Sequence, residues 1–160
     1  MLIFLVIFLV FATFFLWTAI SGAPWVPART YDIEQLLDDT KLSKGEVFYE
    51  LGCGDGRLVK AAAQRGAYAV GYELNPFLWL IARFRTMGTK NTKIILGDLW
   101  QTNLRNADVV MAFLVLRTVP RLEKKAAGEM KVGSRLVSYI FPLPHKKPSH
   151  KAKSWLVYEY

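Results

Sequence analysis

The run Glu50-Leu51-Gly52-Cys53-Gly54-Asp55-Gly56-Arg57 sets three glycines at alternate positions between an apolar segment and a helical one. Side chains at Gly52 and Gly54 would keep a ligand off the backbone, and the free N–H groups of the helix start favour an anionic group. Glu73 closes the next apolar segment, 19 residues beyond Gly54 (73 − 54). At that separation a carboxylate can accept hydrogen bonds from both ribose hydroxyls of a nucleoside. Taken singly, the glycines could serve a tight turn, Asp55 could form it, and Glu73 could be a solvated strand end. Jointly they point to a nucleoside cofactor. A dinucleotide site ordinarily carries G-x-G-x-x-G, whereas this turn reads G-x-G-x-G with Asp55 inside it.

A turn of this kind needs a strand before it and a helix after it, and the chain supplies both. Val47 to Leu51 reads as a buried strand, and the helix Arg57 to Arg65 ends on Gly66 as its C-cap. A second strand runs from Tyr68 to Glu73. Asn75 as N-cap and Pro76 at the first helical position start a helix that reaches Met87, before Gly88. Strands Lys93 to Leu96 and Asp108 to Phe113 follow. Helix Pro120 to Met130, with Leu122, Ala126 and Met130 on one face, leads to strand Arg135 to Ile140. A final strand, Trp155 to Tyr160, comes after a basic loop. Upstream, Ile33, Leu36 and Leu37 mark a short amphipathic helix from Thr30 to about Thr40. Alternation of strands and helices predicts an α/β fold, a mostly parallel sheet with helices on both faces.

The chain has 160 residues, of which 52% are hydrophobic and 14% aromatic, enough for one packed domain and too apolar for overall disorder. Cys53 alone cannot build a disulfide framework or a thiolate cage, and with only His145 and His150 beside it the site is read as metal-free. Residues 1 to 28 carry no charged side chain, and 18 of the first 20 are apolar. Twenty helical residues rise about 30 Å, so residues 1–20 are expected to form a transmembrane helix, with 21–29 a linker and 30–160 the folded domain. The competing reading is a cleaved signal peptide at Ser21-Gly22-Ala23. It lacks a basic n-region and has Pro24 directly after the cut. Every basic residue lies after the span, beginning with Arg29, which predicts a single-pass membrane protein whose domain faces the cytoplasm, or the matrix in a mitochondrion.

The glycine pattern resembles class I S-adenosylmethionine-dependent methyltransferases, a Rossmann-like fold. Longer runs narrow the resemblance: Pro24-Trp25-Val26-Pro27, Glu50 to Arg57, Gly71-Tyr72-Glu73-Leu74-Asn75-Pro76, Asp98-Leu99-Trp100, Leu122-Glu123-Lys124-Lys125 and Phe141-Pro142-Leu143-Pro144-His145 occur in this order. Together they are similar to the membrane-anchored protein-lysine methyltransferases whose mitochondrial members methylate the adenine nucleotide translocase and the c-subunit of ATP synthase. The resemblance implies S-adenosyl-L-methionine as cofactor, held by Glu50, Gly52, Gly54, Asp55, Gly56, Glu73, Leu74, Asn75, Asp98, Leu99, Trp100 and Trp25. Asp98 matches the position that commonly holds the adenine amino group, and Trp100 is placed to pack near the ring. Glu50 stands where the family often has aspartate. The C-terminal region has room for one late strand in place of the customary hairpin.

The resemblance further implies in-line methyl transfer to an amine, which depends on alignment more than on acid–base chemistry. Met111-Ala112-Phe113-Leu114 should line the transfer site, with Ala112, Phe113 and Phe141 as its candidate lining residues. The segment lacks the Asn-Pro-Pro-Tyr that commonly marks amide or nucleobase acceptors. Phe113, Phe141 and Trp25 are candidates for an aromatic channel receiving an alkylammonium, against the alternative that they are core residues. The expected partner is a lysine of a protein at or near the membrane, with a lipid, quinone or other small membrane molecule as the competing acceptor. A non-catalytic cofactor-binding role is the third reading. A net charge of +8 suggests nucleic acid, yet its densest patch, His145 to Lys153, has no interleaved aromatics. Orientation of that loop on a lipid bilayer, or a plain solvated loop, accounts for it as well.

Overall fold

The computed structural model describes residues 30–160 together with Met1, Phe4, Leu5, Phe8, Leu9 and Thr13. Within residues 30–160, four helices, α1 (Thr30–Asp39), α2 (Arg57–Gln64), α3 (Pro76–Thr86) and α4 (Val119–Glu129), accompany seven strands. These are β1 (Val47–Leu51), β2 (Tyr68–Glu73), β3 (Thr92–Leu96), β4 (Val109–Ala112), β5 (Arg135–Tyr139), β6 (His150–Lys151) and β7 (Trp155–Glu159). They form one sheet in the order β3-β2-β1-β4-β5-β7-β6. β1 to β5 pair in parallel, and β7 runs antiparallel to both β5 and β6. The order reverses between β1 and β4, and in open α/β sheets ligands bind at that crevice, beyond the carboxyl ends of the strands.

Each face of the sheet has its own core. On one, Ile33, Leu36 and Leu37 of α1, Leu58, Val59 and Ala62 of α2, and Ala82 of α3 pack with Phe48, Ala69, Val109 and Val137. On the other, Val119, Leu122 and Ala126 of α4 pack with Leu51, Val110, Leu136 and Tyr158. Period-2 strands between period-3.6 helices therefore bury the residues that the sequence pattern singles out. The local signals hold as well: Asn75 caps α3 through its side-chain oxygen, which accepts from Phe77 N and Leu78 N, and Gly66 ends α2 at φ +91°.

Three expectations are corrected. The alternation breaks between β3 and β4, where a short 3-10 turn, Leu99–Gln101, replaces a helix. Asp98, Asn103 and Asn106 in that segment favour turns over helix. Tyr68 on β2 is consequently 53% exposed. Second, the C-terminal region does form a hairpin. His150 and Lys151 pair with Val157 and Leu156. Both residues are exposed and polar, so this edge strand shows no apolar alternation, as charged edge strands do not.

The third correction concerns the membrane. Among the described residues no helix is long and apolar enough to cross a bilayer, which overturns the single-pass, cytoplasm-facing placement. The segments read as span and linker, 1–20 and 21–29, lie for the most part outside the described residues, as does Trp25.

Candidate functional site

Where β1 meets α2 the chain turns through three left-handed glycines, Gly52 at φ +84°, Gly54 at φ +54° and Gly56 at φ +74°. They do different work. A Cβ on Gly52 would meet nothing within 4 Å, so the turn faces open space there, whereas one on Gly56 would lie 2.9 Å from Cβ of Ala82 in α3. Gly56 thus lets two helices close on each other and Gly52 leaves a bare backbone surface. The turn is tied to β2 from both sides: Gly52 N and Cys53 N donate to the carbonyl of Tyr72 at 2.8 and 2.9 Å. Gly54 N donates to Glu73 Oε2 at 2.8 Å, and Asn75 N donates to Glu73 Oε1 at 2.8 Å. Gly71 on β2 fits against this turn because a Cβ there would sit 2.7 Å from Sγ of Cys53.

Three buried carboxylates surround the turn. Burial pushes the Glu73 carboxyl up, opposed by the N–H groups of Asn75, Gly54 and Leu74. Glu50 is raised well above its ordinary value, first by burial and then by the charges of Asp55 and Glu73, and its Oε2 has no hydrogen-bond partner among the described residues. Asp55 behaves oppositely. Burial raises it, but hydrogen bonding and charge from Arg57, then the charge of Arg85, bring it below the usual range. Its Oδ2 lies 2.6 Å from Arg57 Nη2 and 3.1 Å from Arg85 Nη2, while Arg85 Nε donates to its carbonyl at 2.9 Å. Asp55 therefore fastens the turn to α3. Arg85 carries that link without any signal in the sequence, since a basic residue in a last helical turn is ordinary.

Beyond the end of β3 the chain turns toward the α4 side of the sheet. Asp98 accepts the N–H of Trp100 at 2.9 Å and so caps the 3-10 turn. Trp100 and Leu99 pack against the α4-side core, and the Arg121 guanidinium lies 4.1 Å from the Trp100 ring centroid. Leu74 lies between Glu73 and Asn75, half-buried.

The ends of β4 and β5 complete this edge. Leu51 is in register with both Tyr72 and Ala112, and Ala112 with Ser138; Glu73, Gly52, Phe113 and Tyr139 come one residue later, at the carboxyl edge, and Tyr139 pairs with Trp155. The rings of Phe113 and Tyr139 are 4.8 Å apart, those of Tyr139 and Trp155 6.2 Å. Tyr139 Oη donates to Asp32 of α1 at 3.2 Å. Phe141 departs from this group: it packs with the α4-side core, and its carbonyl accepts from Ser138 Oγ at 2.6 Å. The structure thus joins Phe113 with Tyr139 and Trp155, and places Phe141 on the other face. The turn between them passes through Ile140 at φ +70°.

The basic stretch after Phe141 is held down. Glu123 of α4 accepts from His145 N and Lys146 N at 3.0 and 2.8 Å and contacts His145 Nδ1 at 2.9 Å. Lys146 Nζ lies 4.2 Å from the Tyr160 ring centroid, and His150 Nε2 3.2 Å from Asp39.

A family model described as the ANTKMT methyltransferase domain matches residues 50–150. Among curated proteins, the ATP synthase c-subunit lysine N-methyltransferase of Rattus norvegicus is 37% identical over 130 residues, covering 79% of this chain and 60% of that protein. The adenine nucleotide translocase lysine N-methyltransferase of Mus musculus is 38% identical, with 78% and 56% covered. A protein-lysine N-methyltransferase of Saccharolobus islandicus is 31% identical, with 84% of this chain and 86% of that one covered. The chain therefore spans just over half the length of the two mammalian relatives. Of solved structures, an RNA methyltransferase from Salinibacter ruber in complex with S-adenosyl-L-homocysteine superposes with TM-score 0.77 at 26% identity, over 84% of this chain and 92% of that one. The fold is the class I Rossmann-like methyltransferase fold.

Proposed function

The chain belongs to the ANTKMT methyltransferase domain family, and on that footing we propose that it is an S-adenosylmethionine-dependent Nε-methyltransferase of protein lysines. The observation that carries the cofactor half is the buried Oε2 of Glu50, without a partner among the described residues, beside the bare backbone of Gly52. A buried carboxylate oxygen without a donor is costly, and a cationic ligand bearing N–H groups supplies what it lacks. S-adenosylmethionine, when bound, supplies a methyl group already activated on a sulfonium.

This chain's residues then hold and orient. Glu73 keeps a lone pair beyond the backbone N–H groups it accepts and is the ribose acceptor. Asp98, with Leu99 and Trp100, takes the adenine end. Gly52, Gly54 and Gly56 shape the cradle, while Asp55 and Asn75 act by fixing the turn and the start of α3. Ala112 and Phe113, directly across from the glycine turn, border the reacting end.

For the acceptor, the named activities of the rat, mouse and Saccharolobus relatives support a lysine side chain. The Salinibacter likeness makes RNA the competing acceptor. Incubation with tritiated S-adenosylmethionine and a cell extract tests the choice. Label that protease removes and ribonuclease leaves supports the lysine reading, and the reverse sensitivity overturns it.

A further inference from the structure

We infer that Asp32, Tyr139 and Phe113 form the subsite that receives the acceptor's ammonium group, with Trp155 backing it as a positioning residue. This rests on the function proposed above and names where its substrate binds.

The register fixes the placement. Glu73 ends β2, while Phe113 and Tyr139 each follow the register pair Ala112 and Ser138 by one residue, so the two rings leave the carboxyl edge of the sheet on the same face. Strands lie about 4.8 Å apart, so Phe113 is about 10 Å from Glu73 and Tyr139 one strand farther. A nucleoside gripped at Glu73 and laid across the Gly52 turn directs its far end toward Phe113. What approaches from the remaining side meets Tyr139 and Asp32.

Those groups suit a cation on an alkyl stem. Phe113 and Tyr139 are half-buried rings 4.8 Å apart, apolar enough for methylenes and with π faces that attract ammonium. Trp155, only 2% exposed, lies against Tyr139 from behind, and its Nε1 donates to Asp39 at 3.0 Å. Asp32, half-exposed in the first turn of α1, accepts from Tyr139 Oη and keeps lone pairs for a second donor. A hydroxyl alone would take a neutral acceptor; the carboxylate adds preference for charge at docking, and the ammonium gives up a proton to solvent water before the neutral amine takes the methyl group.

The test is an NMR titration of labelled protein saturated with S-adenosylhomocysteine, using Nα-acetyl-lysine methylamide as probe and the norleucine analogue as control. The lysine probe should move the amide resonances of Asp32, Phe113 and Tyr139 while the norleucine analogue leaves them in place. Asp32→Asn should weaken lysine binding by about threefold or more, and Asp32→Glu should restore it. Tyr139→Phe should fall between, with S-adenosylhomocysteine affinity unchanged in all three. Equal response to both probes, no response to either, or wild-type binding by Asp32→Asn overturns the inference. Lysine binding at these residues without methyl transfer to any protein would instead overturn the proposed function and leave the subsite standing.

Discussion

Gly54 and Glu73, 19 residues apart, are joined by a hydrogen bond of 2.8 Å from the backbone N–H of the glycine turn to the carboxylate that ends β2. One side chain therefore both braces the turn and faces the crevice beside it. Replacing Glu73 with glutamine removes the charge from both tasks. Charge-assisted hydrogen bonds are worth about 1.5–3 kcal/mol, so cofactor affinity should fall about ten- to hundredfold. Calorimetric titration with S-adenosylhomocysteine measures it, and unchanged affinity would refute the placement of the ribose.

Glu50 should make cofactor binding pH-dependent. Burial and the neighbouring carboxylates raise its pKa in the ligand-free protein, and a cationic ligand favours its ionised form. Binding then expels a proton, so affinity for S-adenosylmethionine weakens as pH falls through the raised value. Glu50→Gln should flatten that slope. A slope equal in wild type and variant would contradict the assignment.

Gly56→Ala should destabilise the fold by about 1–3 kcal/mol, through the left-handed backbone and the 2.9 Å approach to Ala82. Ile140→Gly should act in reverse. Ile140 is β-branched at φ +70° and 50% exposed, so glycine relieves strain of about 1 kcal/mol with little burial lost. Thermal melts of the two variants should move in opposite directions.

Asp108 sits between β1 and the end of α4, accepting Val47 N at 2.7 Å and pairing with Lys131 at 2.5 Å. Burial raises its pKa, but the Lys131 and Val47 hydrogen bonds and the charges of Lys131 and Arg135 outweigh it and depress the value. A depressed folded pKa means stability that is present above the ordinary carboxylate value and lost as pH falls through the folded one, below about pH 4. Asp108→Asn should therefore lose stability at pH 7 and converge on wild type as pH falls through the depressed folded value, measured by denaturant unfolding.

Much of this was legible in the sequence because the deciding signals are local. Glycine spacing, Asn75 before Pro76, Gly66 after α2 and the apolar periods of α1 and α4 each act within a few residues, and each reappears in the structure. What escaped depends on pairing at a distance. Tyr139 and Asp32 are 107 residues apart and meet only because α1 and β5 contribute to the same core. Arg85 reaches Asp55 across 30 residues, and the two-residue strand β6 exists only through its partner β7. Phe141 matches Phe113 in residue type, but the left-handed turn at Ile140 sends it to the opposite face.

The most direct test of the lysine assignment is amino-acid analysis of protein labelled by the purified enzyme and S-adenosylmethionine carrying a radioactive methyl group. Acid hydrolysis followed by chromatography should place the label in Nε-methylated lysine, and Glu73→Gln should abolish most of it. Label recovered only in methylated nucleotides or in the lipid fraction, with none in lysine, would contradict the account.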